Sequence, residues 1–172
     1  MLFGVWGIAW LLGDLLLWVS RSAPDGRPAP WAFACFFLLI AGAVATTMVH
    51  TISRGRGVSG PGATAGAMYG WAWTIGFAAL TLIMLGLNRA GLDGEVLGLA
   101  WFSLPSLVVG LLYLAGGAMW LARELYVLGS WILLAGSAAT LVGFPGAYLV
   151  LALAGGGGFL LMALVEHLRG RR

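Results

Sequence analysis

The sequence predicts an all-α fold, a polytopic transmembrane bundle of six helices. Three observations lead there. The 172 residues are 61% hydrophobic and 9% charged, with a mean hydropathy of +0.98. A soluble domain carries about 25% charged residues, so lipid must solvate most of this surface. Six apolar runs can be drawn, over residues 2–20, 31–52, 64–87, 97–121, 127–144 and 146–166. Each approaches the roughly 20 residues that cross about 30 Å of hydrocarbon. None has the period-two alternation of a membrane strand, so the spans are helical. All six are needed for one bundle, which makes residues 1–172 a single domain.

The first run lacks a basic leader and a small-residue cleavage site, and reads as a retained helix. Asp14 interrupts it in Val-Trp-Gly-Ile-Ala-Trp-Leu-Leu-Gly-Asp, roughly 20 Å along the helix at 1.5 Å per residue. Trp6, Trp10 and Trp18 fall on the same broad face at spacings of four. A carboxylate at a helix centre costs about 2.5–3.5 kcal/mol on insertion scales. It normally faces the bundle interior or a water-filled path. Two readings stand: a pore-lining or proton-binding carboxyl, with Trp10 beside it, or a hydrogen-bonded structural Asp that ties helices together.

Ser22 to Pro30 holds three Pro and Asp25-Gly26, so no helix crosses it. The second run contains Cys35 and ends at His50, before the Gly-rich Ser53–Gly62. The third carries Gly66, Gly70, Thr74 and Ala78 at intervals of four, a stripe that admits another helix backbone in lipid. Tyr69, Trp71 and Trp73 lie on the same turns, and Tyr69 and Trp73 join Asp14 and Trp10 as pore candidates. The turn that follows places Asn88, Asp93 and Glu95 at an outer mouth. The fifth run is short and ends at Gly143-Phe144-Pro145-Gly146; Ala135, Ala139 and Gly143 make a second small-residue stripe. In the sixth, Gly155, Gly156, Gly157 and Gly158 permit either very close helix packing or local unwinding.

Arg54, Arg56, Arg123, Arg169, Arg171 and Arg172 gather on one side; Arg21, Arg27 and Arg89 on the other. The positive-inside rule then puts both termini in the cytoplasm, here of a bacterial inner membrane. Trp18, Trp31 and Trp101 at the outer boundary and Trp120 and Trp131 at the inner one make an aromatic belt. All nine basic residues are Arg. Without Lys there is no retinal Schiff base, and Arg at segment ends is no nucleic-acid patch. One Cys forms neither an internal disulfide nor a CxxC pair. His50 and His167 both end cytoplasmic segments, where they are solvated interfacial groups or, less simply, two haem ligands. Zinc wants three or four ligands, and only Glu166 adjoins. No cofactor, metal or catalytic constellation is therefore expected, and no enzyme.

At the Asn88 turn the chain resembles a family. Asn88-Arg-Ala-Gly91-Leu92-Asp93-Gly94, Leu97-Gly98 and Trp101-Phe102-Ser103-Leu104 look like the corresponding turn and fourth helix of the AmiS/UreI amide and urea channels. Two extra residues stand here before Trp101. The resemblance implies six helices, a hexameric ring with one pore per protomer, Trp101 at the constriction and Asp93 in the mouth. The second half is similar also to the YaaH/SatP acetate–succinate symporters, although their Asn-Pro-Ala-Pro-Leu-Gly signature is absent. The expected function is a channel or proton-linked transporter for a small uncharged or weakly acidic solute, in the bilayer and as a homo-oligomer. The alternatives are an accessory subunit of a larger membrane complex and a haem or quinone redox protein.

Overall fold

The computed structural model describes residues 2–21, 27–55, 57 and 59–170. Arg56, Arg171, Arg172 and Asp25, with the rest of the Ser22–Gly26 stretch, lie outside the described residues. The described chain is helical, with no strand among these residues. Its helices are α1 (Leu2–Val19), α2 (Pro30–Gly55), α3 (Pro61–Arg89), α4 (Gly94–Met119), α5 (Arg123–Val142) and α6 (Gly146–Arg169). Each is long and apolar enough to cross a membrane. If all six cross, both termini lie on one side.

The helix ends follow from local chemistry. Pro61 opens α3 at a position whose N–H has no intrahelical acceptor. Gly91, at φ +82°, closes it. The left-handed turn lets the Leu92 N–H reach back to the Leu87 carbonyl at 3.1 Å and satisfy an orphan acceptor. Asp93 then caps α4: its Oδ1 accepts from the N–H groups of Glu95 at 2.9 Å and Val96 at 3.3 Å. Glu95 in the first turn also suits the positive end of the helix. The fifth run is a full helix of 20 residues, which stops where Gly143 takes φ +70° ahead of Pro145. Leu121, 89% exposed, bends the α4–α5 connection at φ 52°, where a Gly would be at ease.

The contacts divide the chain into two compact units, Met1–Arg54 with Val142–Arg172, and Gly55–Leu141. In the first, α1 runs antiparallel to α6. Glycines on both helices make this possible. A Cβ on Gly7 would lie 2.9 Å from the Leu160 amide nitrogen, and one on Gly156 would lie 2.5 Å from that of Leu11. Close packing of this kind is the main attraction between helices in lipid. On its other side α1 meets α2, where the ring of Phe36 fills the space over Gly13 and the Trp6 indole N–H donates to Thr47 Oγ1 at 3.0 Å.

In the second unit α3 and α5 each pack on α4. Gly76 approaches Val108, and the Tyr69 hydroxyl donates to the Leu112 carbonyl at 2.8 Å. Along the α4–α5 seam Gly110 and Gly129 bring the two backbones together, and Gly136 sits on Ser106. The second small-residue stripe is thus interior: Ala135 and Ala139 are 5% and 0% exposed. The α3 stripe is the reverse. Gly66, Gly70, Thr74 and Ala78 are exposed, and a Cβ on either Gly would meet nothing.

Candidate functional site

Asp14 is the deepest charged group among the described residues, 3% exposed in the middle of α1. Its Oδ1 is buried and has no hydrogen-bond partner. The α1–α6 register explains where it lies. Gly4 meets Ala163, Gly7 meets Leu160 and Leu11 meets Gly156, so the next turn of α1 runs beside Leu151–Gly156. That segment is a π-helix inside α6. Its bonding shifts one residue along: the Gly157 N–H reaches the Ala152 carbonyl, five residues back. Such wide turns are insertions that strain a helix and tend to mark functional positions.

Around this point the walls are aromatic and tight. Trp10, one turn before Asp14, is buried, edge-on to Phe159 at 5.5 Å, with its ring lying over Gly155. Tyr148, 4% exposed in the first turn of α6, stacks on Phe144 at 4.7 Å. Arg21 does not neutralise Asp14 directly. Its Nε donates to the Trp18 carbonyl at 2.7 Å, and its guanidinium sits 5.3 Å over the Trp18 ring. Both contacts hold it at the end of α1, as an interfacial Arg with its aromatic anchor.

Of the four adjacent glycines, Gly155 and Gly156 are buried in the α1 contact, while Gly157 meets nothing with an added Cβ and Gly158 is half-buried. Tight packing and a local change of helix geometry therefore coincide in one segment, where the sequence offered them as alternatives.

The other unit holds the remaining predicted residues. Tyr69 and Trp73 join an aromatic cluster: Tyr69 lies edge-on to Trp120 at 4.7 Å, and Trp73 edge-on to Tyr113 at 5.5 Å. Trp101 is 38% exposed near the start of α4. Asn88, Asp93 and Glu95 are exposed in the α3–α4 turn, where Asp93 serves as the helix cap. Pore candidates and turn residues thus separate into Asp14 with Trp10 in one unit and Tyr69, Trp73 and Trp101 in the other. Among the described residues no group of three His, Cys, Asp or Glu could hold a metal ion.

No family model, curated protein or solved structure matches this chain. The site therefore rests on its own chemistry.

Two features were not among the candidate site residues read from the sequence. Tyr148 carried no signal of its own as a site residue, and its burial follows only from the packing of α6. Ser103 and Ser106 had one: a spacing of three puts both on one face of an apolar helix. They are 6% and 1% exposed, and neither hydroxyl has a partner. Elsewhere Thr46, Thr47, Thr81, Ser130, Ser137 and Thr140 each donate to the carbonyl four residues back. The exceptions sit at the α4–α5 seam around Pro105, opposite Gly136.

Proposed function

We propose that this integral membrane protein is a channel or proton-linked transporter for a small uncharged or weakly acidic solute, with Asp14 as its functional carboxyl. One observation carries the reading: Asp14 is buried mid-span and its Oδ1 has no hydrogen-bond partner. A structural Asp repays its insertion cost of about 2.5–3.5 kcal/mol through bonds to neighbouring helices. A carboxyl oxygen without a bond makes no such return, and a site that binds and releases a proton or solute accounts for it. The π-helical segment alongside supports the same reading.

The resemblance of the Asn88 turn to amide and urea channels, and of the second half to acetate symporters, sets the solute class: urea, short amides and acetate. We place the protein in a bacterial inner membrane with both termini cytoplasmic, working as a homo-oligomer, and a hexamer is the state the channel resemblance implies. The open α3 face of Gly66, Gly70, Thr74 and Ala78 is the surface offered for that assembly. The same face supports a second reading, an accessory subunit of a larger complex, since only 11% of the α2 and α3 membrane windows is buried within the chain.

The test is flux into proteoliposomes of urea, acetamide, acetate and ammonia across a pH series. Asp14→Asn is nearly isosteric and not ionisable. It should keep the fold and lose the flux or its pH dependence. Wild-type flux and pH profile in Asp14→Asn would end the proposal, and co-purification with a larger enzyme would favour the accessory subunit.

A further inference from the structure

Two helices of the second unit close with the same backbone motif and with different residues in it. At the end of α3 the Leu92 N–H reaches the Leu87 carbonyl, five residues back, at 3.1 Å, and Gly91 takes φ +82°. At the end of α4 the Ala122 N–H reaches the Gly117 carbonyl, again five back, at 2.9 Å. The residue in the place of Gly91 is here Leu121, at φ 52°. This closure favours Gly, because in left-handed backbone a Cβ crowds the carbonyl oxygen that follows it. For a bulky side chain it is an outlier. The hairpin cannot relax to relieve it. A Cβ on Gly117 would lie 2.6 Å from the Tyr126 amide nitrogen, so the α4 and α5 backbones already touch beside the bend. The protein gives Leu121 little in return, since its side chain is 89% exposed.

The residues around Leu121 are apolar and exposed as well: Met119, Trp120, Tyr126 and Val127, with Arg123 among them. The turn at the other end of α4 is the reverse. There Asn88, Arg89, Asp93 and Glu95 are exposed, and the left-handed residue is a Gly. We propose that the α4–α5 turn is an interfacial anchor, with Leu121 inserted at the boundary between lipid headgroups and acyl chains. Moving the leucine side chain from water into that layer offsets the backbone strain. The Trp120 and Tyr126 rings pair an apolar body with a polar tip and suit the same layer, and the stem of Arg123 lets its guanidinium reach the lipid phosphates. The bilayer is the occupant because the exposed apolar surface continues from the turn along both spans, through Leu111 on α4 and Leu134 on α5. An anchor at this place fixes the depth of the close-packed hairpin, while the polar α3–α4 turn stays in water.

This inference rests on the reading of the chain as an integral membrane protein, and the test separates the two. In a Cys35→Ala background, Leu121→Cys, Val127→Cys, Ala90→Cys and Leu134→Cys each carry one nitroxide label in phospholipid vesicles. Collisions with oxygen, which concentrates among acyl chains, and with a neutral nickel chelate, which stays in water, report depth. Ala90, exposed beside Gly91, is the aqueous reference, and Leu134, exposed within α5, is the acyl reference. The oxygen-to-nickel ratio at the Leu121 and Val127 positions should exceed that at Ala90 several-fold and lie toward that at Leu134. Val127→Cys carries the test if Leu121→Cys does not fold. A ratio at both positions equal to that at Ala90, with Leu134 high, would overturn the anchor and leave the membrane spans standing. A ratio at Leu134 as low as at Ala90 would overturn both. Labels at the turn shielded from both reagents would mean a protein contact there and would overturn the lipid assignment.

Discussion

Gly156→Ala, set against Gly157→Ala, isolates the α1–α6 contact that positions Asp14. The two glycines are neighbours in sequence and in the same membrane span, so the helix-propensity gain of Ala over Gly, about 1 kcal/mol, is common to both. The surroundings differ. A Cβ on Gly156 would lie 2.5 Å from the Leu11 amide nitrogen, 2.8 Å from its Cα and 2.9 Å from its Cβ, whereas one on Gly157 meets nothing within 4 Å. Two of those three atoms are backbone and cannot rotate away. The helices must part by roughly 1 Å, and a gap of that size forfeits a quarter to a half of each van der Waals well along the seam. Overpacking of this kind costs about 1–3 kcal/mol. Gly156→Ala should therefore be less stable than Gly157→Ala by about 1–3 kcal/mol, with Gly157→Ala equal to or above wild type. Gly155→Ala should fall between them, since its obstacle at 2.7 Å is the Trp10 ring, a side chain with some freedom to turn. Thermal unfolding in one detergent, read by fluorescence and by size exclusion after heating, ranks the variants. Equal midpoints for Gly156→Ala and Gly157→Ala would refute the packing argument and, with it, the register that puts Asp14 beside the π-helical segment.

Two further outcomes follow from the other unit. Gly70→Leu enters open space on α3, so the monomer should fold normally while oligomer size in detergent falls; Ala139→Leu enters a fully buried position and should reduce the yield of folded protein. An unchanged oligomer in Gly70→Leu removes the α3 face from the assembly. Ser106→Ala deletes a buried hydroxyl that has no partner, and an unpaired buried polar group costs about 1–3 kcal/mol. Its thermal midpoint should equal or exceed wild type, and a clear drop would mean that the hydroxyl is bonded in the membrane.

Asp14 shows most clearly what could be read from the chain alone. A lone carboxyl in an apolar run is conspicuous by composition, because inserting it is costly wherever the helix faces. The six spans were legible for a similar reason: hydrocarbon thickness sets a minimum run length, and all six helices overlap the runs drawn from the sequence. The ends were less legible. The structure carries α3 back to Pro61 and α5 back to Arg123, since capping and tertiary contact extend helices beyond their apolar stretch.

What only the tertiary structure decided is which faces meet. The two small-residue stripes, on α3 and α5, are alike in spacing, yet Ala139 is buried and Gly70 lies open. Small side chains permit close approach without specifying a partner, so spacing alone does not say which stripe is used inside the chain. Asp14 lies beside Leu151–Gly156 because α1 and α6 pair antiparallel through Gly4, Gly7 and Gly156, and pairing of distant segments is a property of packing. The glycines of α6 likewise read as packing or as unwinding until the pairing was known. The wide turn and the backbone contact share one segment, because a helix without side chains there can both change its hydrogen-bond spacing and lie against its neighbour.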